Sequence, residues 1–350
     1  MAQLFDLLLI GPLMAGLAML VSTRHDGSWR PLWLQRAGNA GAVPACRAPL
    51  RLGPYTLGSK LGEGAMGEVY RAWNSRVGAW HALKLLPPNA SLRDRQRFEK
   101  EARLAALVRH PNTVSIIEQT EERQGTCYYA MELLEGANLQ QLVEQDGPLP
   151  AARVAGILAQ LGAALEEMHV QGLVHRDIKP DNVILTGRER KLCKLIDFGL
   201  AEHVGALAQG QPEGALVGTP LYISPEAIVA PETVGPKSDL YGLGAVGYFL
   251  LRGEPVFTGK SVIEVCCHHL HSTPEPLNLA TVDPCAMELE RVLLECLAKD
   301  PALRPASAGE VIRRLECALQ LGGLPSRRAE QVCLEAGASC PRAPSCRLAA

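Results

Sequence analysis

His175-Arg176-Asp177-Ile178-Lys179-Pro180-Asp181-Asn182 is the stretch from which the rest of the chain is read. It follows an apolar pair, Leu173 and Val174, and sets a carboxylate, an ammonium and an amide within six residues, Asp177 to Asn182. Twenty residues after Asp177, behind Leu195-Ile196, comes Asp197-Phe198-Gly199. Both aspartates follow short apolar runs, as at the turn from a strand into a loop. One carboxylate can accept a proton from a hydroxyl, while the other, with the amide of Asn182, holds Mg²⁺. That division of labour suits phosphoryl transfer.

Upstream, the strand-like run Tyr55 to Lys60 leads into Leu61-Gly62-Glu63-Gly64-Ala65-Met66-Gly67-Glu68-Val69. Glycines at this spacing let backbone N–H groups approach phosphates. A dinucleotide-binding fold shows the same glycines, but there the third one opens a helix and an acidic residue follows about 20 positions on. Here Glu68 to Trp73 alternates like a strand, and a second strand, Trp80 to Lys84, ends on a lysine. The glycines therefore sit in a hairpin whose partner strand aims an ammonium at the same phosphates. From Ser91 to Val108 the spacing predicts a helix. Phe98, Ala105 and Val108 share its apolar stripe with Glu101. A carboxylate on the inward face is costly unless it meets a cation, and Lys84 is the natural partner. Thr113–Ile117 and Cys127–Leu133 read as two further strands, and Arg153–Val170 as a long helix. The shift from strand to helix near residues 132–136 marks a lobe boundary.

By this point the residues resemble the eukaryotic-like (bacterial Hanks-type) serine/threonine protein kinases. The set comprises Gly62-x-Gly64-x-x-Gly67-x-Val69, Lys84, Glu101, the His175-Arg176-Asp177 loop with Asn182, Asp197-Phe198-Gly199 and Ser224-Pro225-Glu226. Ser238 to Gly244 is similar to the buried helix that anchors the catalytic loop in that family. Asp300-Pro301-x-x-Arg304-Pro305 is similar to the segment whose arginine pairs with the glutamate of Ser-Pro-Glu, here Glu226. The resemblance implies an α+β, bilobal protein-kinase fold: a small β-rich N-lobe (54–134) with one key helix, and a larger helical C-lobe (135–320). It implies transfer of the γ-phosphoryl group of ATP-Mg to Ser/Thr hydroxyls of proteins, in signalling. Asp177 would be the catalytic base, with Lys179 neutralising charge on the transferring group, and Asn182 and Asp197 the Mg²⁺ ligands. Lys84, paired with Glu101, would hold the α- and β-phosphates. Leu61, Val69, Ala82 and Ile184 would enclose adenine, with Met131 as gatekeeper and the backbone of Glu132 and Leu134 at the adenine edge. Lys179 and Gly218-Thr219-Pro220 favour Ser/Thr over Tyr as acceptor.

One segment departs from that pattern. Between Gly199 and Thr219 the chain reads LAEHVGALAQGQPEGALVG, without a Ser, Thr or Tyr. In many relatives a phosphate in this loop binds the residue matching Arg176; here the anions on offer are Glu202 and Glu213. The expectation is that a carboxylate, if anything, meets Arg176.

The chain has 350 residues, 47% of them apolar and 21% charged, with a net charge of −2. No long basic block is present, which argues against nucleic acid as a partner. Eleven scattered cysteines read as reduced thiols. Cys266-Cys267-His268-His269 has metal-ligating residue types, but neighbours on a helix do not converge on one ion. Leu7 to Val21 is a fifteen-residue apolar run, extendable to Leu4, followed by Arg24, Arg30 and Arg36. It is short against the roughly 20 residues of a spanning helix. Residues 1–21 are read as a membrane anchor that leaves the rest cytoplasmic, residues 22–53 as a juxtamembrane linker and 321–350 as a disordered tail. Protein substrates are the expected partners, and nothing in the sequence sets an oligomeric state. Two other readings compete: a membrane-tethered pseudokinase scaffold, which would need a lost catalytic residue, and a small-molecule phosphotransferase, which Arg176 and Lys179-Pro180 disfavour.

Overall fold

The computed structural model describes residues 50–64, 67–123, 126–204, 218–279 and 283–321. The apolar run at 4–21, most of the linker, Glu213 and the tail from residue 322 lie outside them. The N-lobe carries strands β1 (Arg51–Leu52), β2 (Tyr55–Gly64), β3 (Gly67–Asn74) and β4 (Ala79–Leu85), helix α1 (Leu92–Leu107), then β5 (Ile116–Arg123) and β6 (Thr126–Glu132). They form one six-stranded antiparallel sheet in the order β1-β2-β3-β4-β6-β5. The C-lobe follows with β7 (Gly136–Asn138), α2 (Leu139–Asp146), α3 (Ala151–Val170), β8 (Leu173–Val174), β9 (Val183–Thr186), β10 (Leu192–Leu195) and β11 (Glu202–His203). It ends with α4 (Pro225–Val229), α5 (Pro236–Arg252), α6 (Val262–His271), α7 (Pro284–Cys296) and α8 (Ala308–Leu321). This is the α+β, two-lobed arrangement expected. Among the described residues no helix is long and apolar enough to cross a membrane.

Local sequence explains most of these elements. Ser91 caps α1 in a reciprocal capping box: its hydroxyl accepts from the Asp94 N–H at 3.2 Å, and the Asp94 carboxylate accepts from the Ser91 N–H at 3.3 Å. The helix buries Phe98, Glu101, Ala102, Leu104 and Ala105, the face its apolar spacing marks. Alternation along β3, β4 and β6 divides the sheet into two faces. Tyr55, Leu83, Leu85 and Tyr128 pack on one side with Leu52, while Phe98 and Ala102 of α1 close the other against Tyr129 and Cys127. The C-lobe core is a single larger cluster, in which Leu158, Leu161 and Leu165 of α3 meet Leu240 and Leu243 of α5, Leu289 and Leu293 of α7 and Leu315 of α8.

Two expectations shift. Thr113–Ile117 is not a strand: β5 begins at Ile116, and the preceding residues cross to the C-lobe. The Val114 N–H donates to the Leu195 carbonyl at 2.9 Å, the Leu195 N–H to the Asn112 carbonyl at 2.8 Å, and the Asn112 amide to the Cys193 carbonyl at 2.7 Å. A β-prone sequence there serves a partner in β10 rather than the N-lobe sheet. At the other end, Arg51–Leu52 pairs with β2 inside the expected linker, because Leu52 finds a buried place under Tyr55 and Tyr128.

Candidate active site

The catalytic loop leaves β8 and is held from below by one buried carboxylate. Asp239, in the first turn of α5, accepts the backbone N–H groups of His175 at 2.9 Å and Arg176 at 2.8 Å, and meets His169 Nε2 at 2.9 Å. Burial works to raise its pKa, but the His169 hydrogen bond and the backbone donors hold it below the usual carboxylate range. Those bonds fix Arg176 at φ +71°, a left-handed conformation that a β-carbon disfavours. His175 is buried, and its ring meets the edge of Phe198, the middle residue of Asp-Phe-Gly, at 5.6 Å. Asp197 also has positive φ, +66°. Both acidic loops are thus held in strained backbone, where neighbouring bonds over-determine the geometry.

The strain presents Asp177 and Asp197 to the cleft between the lobes. Asp177 accepts from Lys179 Nζ at 2.5 Å, from the Thr219 hydroxyl at 2.9 Å and from the Asn182 amide at 3.1 Å. Lys179 also reaches the Thr219 oxygen at 3.0 Å. Lys179 and Asn182 come from the same loop, whereas Thr219 follows directly on the hydroxyl-free stretch 200–218. From the sequence Thr219 is only a sign of acceptor class; its contact with Asp177 was not foreseen, though Gly218-Thr219-Pro220 was the signal. The Asp197 side chain is 44% exposed toward the cleft, its Oδ1 accepting the Gly199 N–H at 3.1 Å with Lys84 Nζ 3.8 Å away. Partial burial works against its charge, but Lys84 prevails and lowers its pKa.

Sheet register places the remaining groups. Val69 lies opposite Lys84, Lys84 opposite Tyr129, and Ala82 opposite Met131. Directly paired residues share a face, so all five point into the cleft side of the sheet. Lys84 Nζ meets Glu101 Oε1 at 2.6 Å, as the helix stripe predicted, and the Tyr129 hydroxyl donates to the same oxygen at 2.7 Å. Tyr129 was not foreseen. Glu101 Oε2 is buried without a hydrogen-bond partner. Burial weakens the charge on Lys84, but Asp197 and Glu101 outweigh it and raise its pKa, so the ammonium persists.

Ala82 is buried, while Val69, Met131, Leu134 and Ile184 are half-buried around the mouth of the cleft, with Leu61 more open at its rim. Glu132 directs its side chain away from the cleft, to Lys194 Nζ at 2.7 Å and the Ser115 N–H at 2.7 Å, and its own N–H donates to the Ser115 carbonyl at 3.0 Å. The three glycines of the loop are not equivalent. A β-carbon at Gly67, where φ is +146°, would lie 2.1 Å from the Leu85 carbonyl, so the fold itself excludes one. At Gly62 and Gly64 it would meet nothing within 4 Å. Their bare backbone is not a packing requirement, and what it leaves clear suits phosphate oxygens. The donor set of Asn182 and Asp197, one amide and one carboxylate, is made of hard oxygen ligands and fits Mg²⁺.

Elsewhere the sequence-marked residues are absorbed by packing. His269 Nδ1 bonds the Tyr241 hydroxyl at 2.8 Å and His268 Nδ1 the Ser272 hydroxyl at 2.8 Å, so these neighbouring histidines face separate partners.

The family model of the protein kinase domain matches residues 55–314. The chain belongs to the protein kinase family, and curated relatives that it matches are named as bacterial serine/threonine-protein kinases. It is 34% identical over 262 residues to the serine/threonine-protein kinase pkn3 of Myxococcus xanthus, covering 73% of this chain and 48% of that protein. To PknB of Mycobacterium leprae it is 35% identical over 263 residues, covering 73% and 42%. To PknA of Mycobacterium tuberculosis it is 35% identical over 263 residues, covering 73% and 59%. The chain spans about half the length of the curated relatives it matches.

Proposed function

We propose that the chain is a protein serine/threonine kinase that transfers the γ-phosphoryl group of ATP to protein hydroxyls. The observation that carries this reading is the closed set around the cleft: Lys84 paired to Glu101 and 3.8 Å from Asp197, with Asp177 held by Lys179, Thr219 and Asn182. Asp177 accepts the hydroxyl proton of the substrate, a role contributing about 10²–10⁴-fold. Lys179 lies beside it to offset charge as the phosphoryl group moves, and Lys84 orients the α- and β-phosphates. Asn182 and Asp197 would hold Mg²⁺, which would supply neutralisation of phosphate charge. Thr219 keeps the carboxylate of Asp177 in the orientation that receives the proton. The apolar walls Val69, Ala82 and Ile184 exclude water from the adenine face, with Leu61 at the rim and the backbone of Glu132 and Leu134 at its edge.

The test is transfer of radiolabel from ATP with Mg²⁺ to a generic basic protein, beside Asp177→Asn and Lys84→Met. Wild type is expected to exceed Asp177→Asn by about 10²-fold or more. Equal signal from all three would sink the reading. The apolar run at 4–21, followed by Arg24, Arg30 and Arg36, supports an anchor in the cytoplasmic membrane with the kinase domain on the inner side. Fractionation of tagged protein with and without residues 1–21 decides it: the full chain is expected with membranes and the truncation in the soluble fraction.

A further inference from the structure

Helix α1 must stay seated if Glu101 is to hold Lys84, and the structure attaches it on a second side. Lys100, the preceding residue, sits about 100° around the helix from Glu101. Its Nζ donates to the carboxylate of Glu202, a residue 102 positions away in the chain. Glu202 belongs to β11, whose register with β8 sets Glu202 opposite Val174 and His203 opposite Leu173. The Val204 N–H then donates to the Gly172 carbonyl at 2.8 Å. Since β8 runs directly into the catalytic loop, Glu202 is fixed to the base of that loop on one side and to α1 on the other. Its side chain is 19% exposed and that of Lys100 46%. Burial lowers the pKa of the Arg176 guanidinium and the negative charge of Glu202 opposes that shift, so the carboxylate acts on Arg176 as well.

We infer that Glu202 is a positioning residue: through Lys100 it ties α1 to the base of the catalytic loop, and so keeps Glu101 on Lys84 without modification of residues 200–218. That stretch contains no hydroxyl side chain, and an anion already built into β11 makes one unnecessary. The effect is modest in size and sensitive to salt. A half-exposed ion pair contributes up to about 1 kcal/mol, equivalent to roughly fivefold in an equilibrium. A groove of about 400 Å³, lined by Gln96, Glu99, Arg103, Leu104 and His203, opens the pair to counterions.

The inference rests on the kinase reading for its activity arm only. The experiment uses the full chain, treated with phosphatase, as wild type, Glu202→Gln, Lys100→Met, the double variant and Glu202→Asp. Amide hydrogen exchange in residues 92–107 is expected to be about fivefold faster in each single variant, with α5 unchanged. The double variant is expected to be no faster than the faster single, since both changes remove one interaction. Glu202→Asp is expected to stay near wild type, and 0.5 M salt to bring wild type close to Glu202→Gln. Phosphoryl transfer should fall by a similar factor and show the same non-additivity. Unchanged exchange in the single variants, effects that multiply in the double, or loss of wild-type transfer on phosphatase treatment would each overturn it. Should wild type transfer no more phosphate than Asp177→Asn, the functional reading fails, and the exchange measurements still decide the role of Glu202.

Discussion

Lys84–Glu101 in the N-lobe and Arg304–Glu226 in the C-lobe are both buried cation–carboxylate pairs, 2.6 Å and 2.7 Å long, each joining two different elements. They differ in how completely they are enclosed. Arg304 contacts Glu226 through both terminal nitrogens, at 2.7 and 2.8 Å, and donates to the carbonyls of Ala298, Lys237 and Lys299. Ser238 adds a bond to Glu226 at 2.6 Å. Burial works to raise the Glu226 pKa, but Arg304 prevails and lowers it. In the N-lobe, Glu101 Oε2 has no partner, and Glu101 and Asp197 share one ammonium. There burial prevails over Lys84, and the Glu101 pKa is raised. A closed cage of hydrogen bonds fixes the C-lobe platform. The N-lobe pair is left incomplete, with its cation facing a cleft where phosphates would supply further charge. Unsatisfied buried groups cost stability, and this one stands where binding, rather than folding, needs the field.

The widest gap between the two pairs should appear in stability. Arg304→Ala strands a buried carboxylate, a change that costs about 3–5 kcal/mol. For a domain of this size that corresponds to a Tm lower by about 10 °C. Thermal unfolding checks it, and a shift under about 2 °C would show that the cage is dispensable. Lys84→Met should cost less, because Glu101 can take up a proton once its cation is gone. The sign follows from linkage. A carboxyl group whose folded pKa lies above its unfolded value near 4.5 favours folding in acid, and that support is lost as pH rises through the folded pKa. Relative to wild type, Lys84→Met is therefore expected to lose further stability between pH 5 and pH 8, and Lys84→Met with Glu101→Gln to lose none. Equal Tm differences at both pH values would place Glu101 outside the titration.

Much of the site was legible because its signals are local. Alternation along β4 puts Ala82 and Lys84 on one face whatever the rest of the chain does. The stripe of α1 turns Glu101 inward by helix period alone. The motifs around Asp177 and Asp197 bring carboxylate, lysine and amide together over a few residues. Arg304 and Glu226 were matched by resemblance, and the structure joins them.

Other features required the folded chain. Thr219 reaches Asp177 across 42 residues, and Glu202 meets Lys100 across 102. Asp239 holds the catalytic-loop backbone from an element 63 residues beyond Arg176. The start of β5 was misread because Asn112 to Val114 has its partner in β10, which no local pattern announces. Nor does any residue pattern state that Arg176 and Asp197 adopt positive φ, since such strain is imposed by surrounding bonds rather than by the side chain that bears it. By itself the sequence marked the groups proposed for the chemistry, because side-chain identity and short-range period suffice to single them out. Only the tertiary structure decided what holds them in place, because those contacts depend on packing between lobes and across long stretches of chain.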